Sequence, residues 1–254
     1  MKGFMAFTRK EIMDYTRTYK LMILLMVFLF FGFLNPIIAK LTPEMLKAFM
    51  PEGIMISLPE PTVFDCWTQF FKNVTQMGII LVVIMFSGIM ANELIKGTLI
   101  NMLTKGLKRK TVILSKFTAS VIVWTICYYT SFVVTSLYSK LFWEETQVAN
   151  LFFSVTCAWI FGLLLIVFLI LGGVIFRNNY GGLLFTVIIV AIMFILNIME
   201  PIAKFNPLQL VTVNMSLLTK EIDVSELYYS VGSSVFLMIM FLMISVIVFN
   251  KKQI

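Results

Sequence analysis

The 254-residue chain is 60% hydrophobic and only 13% charged, with a mean hydropathy of +0.96 and a net charge of +7. A soluble domain carries roughly 25% charged residues, so this composition excludes one and points to an all-α integral membrane protein with no separate soluble domain. Histidine is absent, which removes imidazole metal sites, Ser-His-Asp triads and His acid–base chemistry together.

Residues 1–20 predict an amphipathic helix: Phe4, Met5, Phe7, Ile12, Tyr15 and Tyr19 share a broad face opposite Arg9, Lys10, Arg17 and Lys20, with Glu11 marring the apolar side. A basic amphipathic helix running into an apolar segment is expected to lie in the membrane interface. No small-residue cleavage site follows, so no cleaved signal peptide is expected. Apolar segments long enough to span follow at about 21–39, 74–92, 117–142, 150–176, 181–199 and 228–249. The connections at 40–73 and 200–227 are substantial. The first carries four prolines, then Phe64, Trp67, Phe70 and Phe71, which are expected at headgroup level. The second is moderately apolar, either short helices dipping back toward the membrane or a plain surface loop. Gly162, Gly172 and Gly173 read as close-packing points between helices. Cys66, Cys127 and Cys157 are scattered and imply no disulfide framework.

Of the 20 basic residues, 14 fall in segments 1–20, 93–116, 177–180 and 250–254, against three of the 13 acidic ones. That bias places both ends of the six-span chain in the cytoplasm, and the positive charge then serves topology and anionic lipid rather than nucleic acid. No charged residue falls in the middle of an expected span, where each costs about 3 kcal/mol; proton relays and ion-coupled carriers usually show one.

The connection Glu93–Lys116 is the most informative stretch. On a helical wheel Ile95, Leu99, Ile100, Met102 and Leu103 face one way, with Lys96 among them, and Gly97, Thr98, Asn101, Thr104 and Lys105 the other. This predicts a short amphipathic helix, stopped by Gly106 and followed by Lys108, Arg109 and Lys110. Such a face seeks a protein partner or the membrane surface. The phosphate-binding G-x-x-x-x-G-K-[ST] pattern is absent, and no paired cysteines form a zinc pattern. No enzyme site, cofactor site or metal site is expected in this chain.

With an interface helix, six spans and a helical connection between spans two and three, the sequence resembles the ABC-2 family of membrane permeases, the transmembrane subunits of type V ABC exporters. The resemblance covers essentially the whole chain. Its most specific part is Glu93-x-x-x-Gly97-Thr98-Leu99-x-x-x-Leu103-Thr104, then Gly106-x-Lys108-Arg109 and Ile113-Leu114-x-Lys116. The family's turn is often Pro-x-Ser-Arg; here it is Gly106-Leu107-Lys108-Arg109, a less rigid version.

An uncleaved, cytoplasmic N-terminus suits a bacterial plasma (inner) membrane, and the resemblance implies a single transmembrane domain over 1–254. It further implies a separate cytoplasmic ABC ATPase that holds ATP and magnesium, a second permease copy or paralogue, and lipid contacts. Ile95, Gly97, Thr98, Leu99, Met102, Leu103, Lys105 and Arg109 would couple to the ATPase. Glu93 would pair with Lys96 or bond the interface helix through Arg9, Lys10 or Arg17, or be a solvated helix-end carboxylate. Asn35, Thr75, Gln76, Ser87, Thr186 and Asn197 are candidates for the translocation path, each also readable as a helix-packing hydrogen bond. So sparse a polar set favours a hydrophobic or amphipathic cargo: a drug, a lipid-like molecule or an antimicrobial peptide. Two further readings stay open, a carrier or channel acting without an ATPase, and a membrane sensor or scaffold that docks a partner on 93–116.

Overall fold

The computed structural model describes residues 2–49, 60–95, 97–104, 106–143, 148–176 and 178–252. Among these the ordered elements are all helical. They are α1 (Lys2–Arg17), α2 (Lys20–Phe49), α3 (Val63–Asn73), α4 (Ile79–Phe86), α5 (Ala91–Ile95), α6 (Thr98–Thr104), α7 (Arg109–Phe142), α8 (Leu151–Phe176), α9 (Asn179–Leu196), α10 (Glu200–Ala203), α11 (Gln209–Thr212), α12 (Asn214–Leu218) and α13 (Tyr228–Lys251). A π-helical turn, Val74–Gly78, joins α3 to α4, and a 3₁₀ turn, Val224–Leu227, precedes α13. Among the described residues, five segments are long and apolar enough to cross a membrane: Lys20–Lys47, Val63–Ile95, Arg109–Phe142, Leu151–Phe176 and Val224–Lys251. The remaining expected span, 181–199, corresponds to α9, whose 18 residues reach about 27 Å.

The hub is α8. It is apolar all round, and its residues from Phe161 to Val174 are continuously buried, as befits a helix enclosed by its neighbours. α7, α9 and α13 pack around it, with α11 and α12 against its far end. Gly162 makes the closest approach possible, because a Cβ there would meet the Trp124 indole at 2.5 Å. The indole N–H donates to the Trp159 carbonyl at 3.1 Å, and the Tyr128 hydroxyl donates to the Val155 carbonyl at 2.7 Å. Trp124 and Tyr128, both on α7, thus satisfy their polar ends on α8 backbone, as they must in a dry interior.

The first two spans run further than expected. α2 continues through Pro36 and Pro43, although proline cannot donate to the carbonyl four residues back. For Pro36 that carbonyl is Gly32, and it instead accepts the Thr135 hydroxyl of α7 at 3.2 Å. The absence of a side chain at Gly32 permits the approach, since its Cβ would sit 2.8 Å from Val134 Cβ. Asn35 completes the junction: its amide donates to Thr135 Oγ1 at 3.0 Å, and its carbonyl accepts from Asn73 at 2.7 Å.

The aromatic group of the first long connection is mostly enclosed by the protein. Trp67, Phe70 and Phe71 are buried, and Phe64 alone is exposed. Val63, Cys66, Trp67, Phe70, Phe71 and Val74 recur at helical spacing, so α3 turns one full face onto α2 and α7. The connection 200–227 does fold into short helices. Leu208, Leu210, Leu217 and Leu218 are buried within it.

A buried ring of four charges as candidate functional site

α1 lies along α7 and buries Phe7, Thr8, Glu11 and Tyr15, one face at helical spacing. Tyr15 meets Ser120 of α7, oxygen to oxygen at 3.0 Å, and the Ser115 hydroxyl donates to the Phe4 carbonyl at 3.3 Å. Burial pushes the Tyr15 hydroxyl pKa up, with the Ser120 hydrogen bond opposing, so it stays neutral.

Between these two contacts sits a closed ring of alternating charge. The Lys116 ammonium lies 2.9 Å from Glu11 and 2.8 Å from Glu93; Lys10 lies 2.9 Å from the other Glu11 oxygen and also pairs with Glu93. Side-chain exposures are 2% for Lys116, 4% for Glu11, 12% for Glu93 and 34% for Lys10. Three of the four charges are therefore taken out of water, and two cations against two anions leave the ring neutral. The Lys116–Glu93 contact is an ion pair without an aligned hydrogen bond; the Lys116–Glu11 contact is a full charge-assisted hydrogen bond. Phe7 floors the ring, with Lys10 and Lys116 at 5.2 and 5.8 Å from its centroid. Burial draws the Lys10 pKa down, but its hydrogen bond to Glu93 and the attraction of both glutamates outweigh that and raise it.

The ring joins three elements: α1 through Lys10 and Glu11, the end of the second long apolar segment through Glu93, and α7 through Lys116. The expected pairing of Glu93 with the first helix is made by Lys10; Arg9 and Arg17 are exposed. Lys96 and Lys105 lie outside the described residues. Glu11 and Lys116 were not among the expected site residues. Glu11 is the centre of the buried face of α1, and Lys116 belongs to the face Val112, Lys116, Ala119, Ser120 and Val123 of a helix that starts at Arg109 rather than at 117. That periodicity was the available signal for Lys116, since residues 109–116 continue the pattern of the span.

The connecting stretch is two helices, not one. Gly97, expected within a single amphipathic helix, breaks it with φ +66, a left-handed conformation that glycine adopts without strain. Leu99 is fully buried, and Met102 and Leu103 are half-buried against the chain's own core. Ile95 is 65% exposed, with Thr98, Thr104, Lys108 and Lys110 also exposed. Gly3, Ala6 and Phe7 of α1 face Met102 and Leu107 across an open cleft of about 430 Å³. Arg109 turns away from this surface toward the end of α13.

The candidate path residues do not converge. Asn35 is wholly committed to the α2–α7 junction. Thr75, Ser87 and Thr186 donate to backbone carbonyls of their own segments. Asn197 accepts from Asn206 and Gln209 at the far end of α9. Gln76 is exposed on the π-helical turn. Only Thr186 of these lines the apolar cleft of about 280 Å³ between α4, α8 and α9, whose other walls include Ile80, Val83, Phe161, Leu165 and Val187. Among the described residues no group of acidic and cysteine side chains is placed to hold a metal ion. No family model matches the chain, and no curated protein matches it.

Proposed function

We propose that this chain is the membrane subunit of an ATP-driven exporter of the ABC-2 kind, moving a hydrophobic or amphipathic compound with energy from a separate cytoplasmic ATPase. In this reading α9 is a sixth span, both ends of the chain face the cytoplasm, and a second permease copy or paralogue completes the path. The observation that carries the reading is the four-charge ring. It locks an amphipathic helix, the end of one span and the start of the next into one rigid foot, so a push on α6 moves Val63–Ile95 and Arg109–Phe142 as levers. The exposed surface of that foot, Ile95, Thr98, Lys108 and Lys110 beside the cleft at Phe7 and Met102, is the docking face for the ATPase. Leu99 serves the foot's interior. The almost wholly apolar cleft by Val83 and Val187 supports a greasy cargo.

The test is purification of tagged chain in mild detergent from its native membranes, with identification of co-eluting proteins. A stoichiometric ATPase that is lost in Ile95→Asp or Lys108→Glu, both surface changes, supports the reading. An ATPase-free preparation overturns it. The ring also favours a second reading, a stand-alone carrier, because buried ionisable groups in membrane proteins often serve proton movement. That carrier predicts transport by the chain alone, abolished by a proton ionophore.

A further inference from the structure

The end of α13 is held from two sides. Arg109, the first residue of α7, donates through one guanidinium nitrogen to the carbonyls of Phe249 at 2.5 Å, Asn250 at 2.9 Å and Lys252 at 2.6 Å. Its guanidinium also lies 5.6 Å from the ring of Phe249, which is fully buried. Lys252, one residue past α13, in turn donates to the carbonyls of Val174 and, at 2.6 Å, Ile175 near the end of α8. Both cations stand where a helix leaves its last carbonyls unpaired and its dipole negative, which is where a positive charge binds best. Arg109 and Lys116 are seven residues apart on α7, hence on one side of the helix and about 10 Å apart along it. The foot of α7 is thus bonded through Lys116 to α1 and α5, and through Arg109 to α13, which Lys252 ties to α8.

We propose that Arg109 is a positioning residue for energy coupling: it passes displacement of the α5–α6 foot to α13, and through Lys252 to α8, so that segments remote from the ATPase move with those beside it. This rests on the permease reading. α13 also packs on α8 and α7, with Phe241 against Phe168; apolar contacts of that kind can slide, whereas charge-assisted hydrogen bonds to the carbonyls of Phe249, Asn250 and Lys252 fix the register. Because all three carbonyls converge on one guanidinium nitrogen, whose two N–H groups they share, an ammonium with three N–H donors can replace it, whereas a neutral amide cannot supply the charge.

The test is amide hydrogen exchange on the full chain in lipid nanodiscs, alone and in complex with its ATPase, with and without magnesium ATP. In Arg109→Gln the amides of 246–252 exchange about tenfold faster than in wild type, the loss of a charge-assisted cap. In the wild-type complex, nucleotide alters exchange at 98–104, at 246–252 and at 170–176. Arg109→Gln keeps the response at 98–104 and loses the other two, and Arg109→Lys restores them. Lys252→Gln leaves the response at 246–252 and removes that at 170–176. Unchanged exchange in Arg109→Gln, or a persisting nucleotide response at 246–252, overturns the proposal while leaving the permease reading intact. No nucleotide response at 98–104 in wild type overturns the permease reading itself, and the proposal with it.

Discussion

Removing Lys116 is the sharpest perturbation of the ring. The ammonium is 2% exposed and sits 2.9 and 2.8 Å from two carboxylates. At an effective dielectric of about 20, each contact is worth about 6 kcal/mol of Coulomb attraction. Lys116→Met forfeits two such contacts and recovers the lysine's own desolvation cost of several kcal/mol, but it leaves Glu11 and Glu93 sharing Lys10. The net loss expected for breaking a buried pair in this way is about 3–5 kcal/mol. For a chain of this size that lowers the thermal midpoint by about 10 °C. Lys116→Met with Glu11→Leu removes one cation and one anion, keeps the Lys10–Glu93 pair, and recovers at least half of the loss. The assay is thermal unfolding of the detergent-purified chain followed by loss of monodispersity. A single variant within about 2 °C of wild type, or a double variant worse than the single, refutes the claim that the ring holds α1 to the spans.

Other outcomes follow from the same contacts. The raised Lys10 pKa makes its contribution complete below the ordinary lysine value of 10.5 and lost as pH climbs through the higher folded value. The midpoint gap between wild type and Lys10→Gln therefore stays constant from neutral pH up to about 10.5 and closes between there and the higher folded value; a gap that closes in mild acid contradicts the assignment. Thr135→Val strands the Gly32 carbonyl and costs about 1–2 kcal/mol. With Pro36→Ala, which restores an in-helix donor to that carbonyl, the same change costs clearly less, so additive midpoint shifts would refute the link. Gly162→Ala drives a methyl into Trp124 at 2.5 Å and costs about 1–3 kcal/mol, with Trp124→Leu in the same chain relieving the clash.

Much of the fold was legible because lipid imposes long apolar runs: the expected segment 150–176 matches α8 within one residue. Boundaries failed where polar residues are interior. Lys116 looked like loop because charge density is high from Lys105 onward, yet its periodicity belongs to α7. Trp67, Phe70 and Phe71 were expected at headgroup level by residue type, and it is their helical spacing that turns them onto α2 and α7 inside the protein. Leu99 was correctly assigned to an apolar face, but only tertiary structure says which partner that face takes, and it takes the chain's own core. Gln76 and Asn35 are both polar residues of apolar segments; nothing in their spacing separates an exposed amide from one enclosed by Thr135 and Asn73.

The central claim is that the foot joined by Glu93 couples this chain to an ATPase. Its most direct test is ATP hydrolysis by the co-purified complex in lipid vesicles, with wild type compared with Glu93→Gln. Glu93→Gln leaves Glu11 the ring's only anion against two cations and loosens the foot without touching the docking surface. The account predicts that the ATPase still co-purifies with this variant while its turnover in the complex changes by at least about tenfold, corresponding to 1.4 kcal/mol of lost coupling. Equal turnover in the two complexes, with the ATPase bound equally, would contradict it.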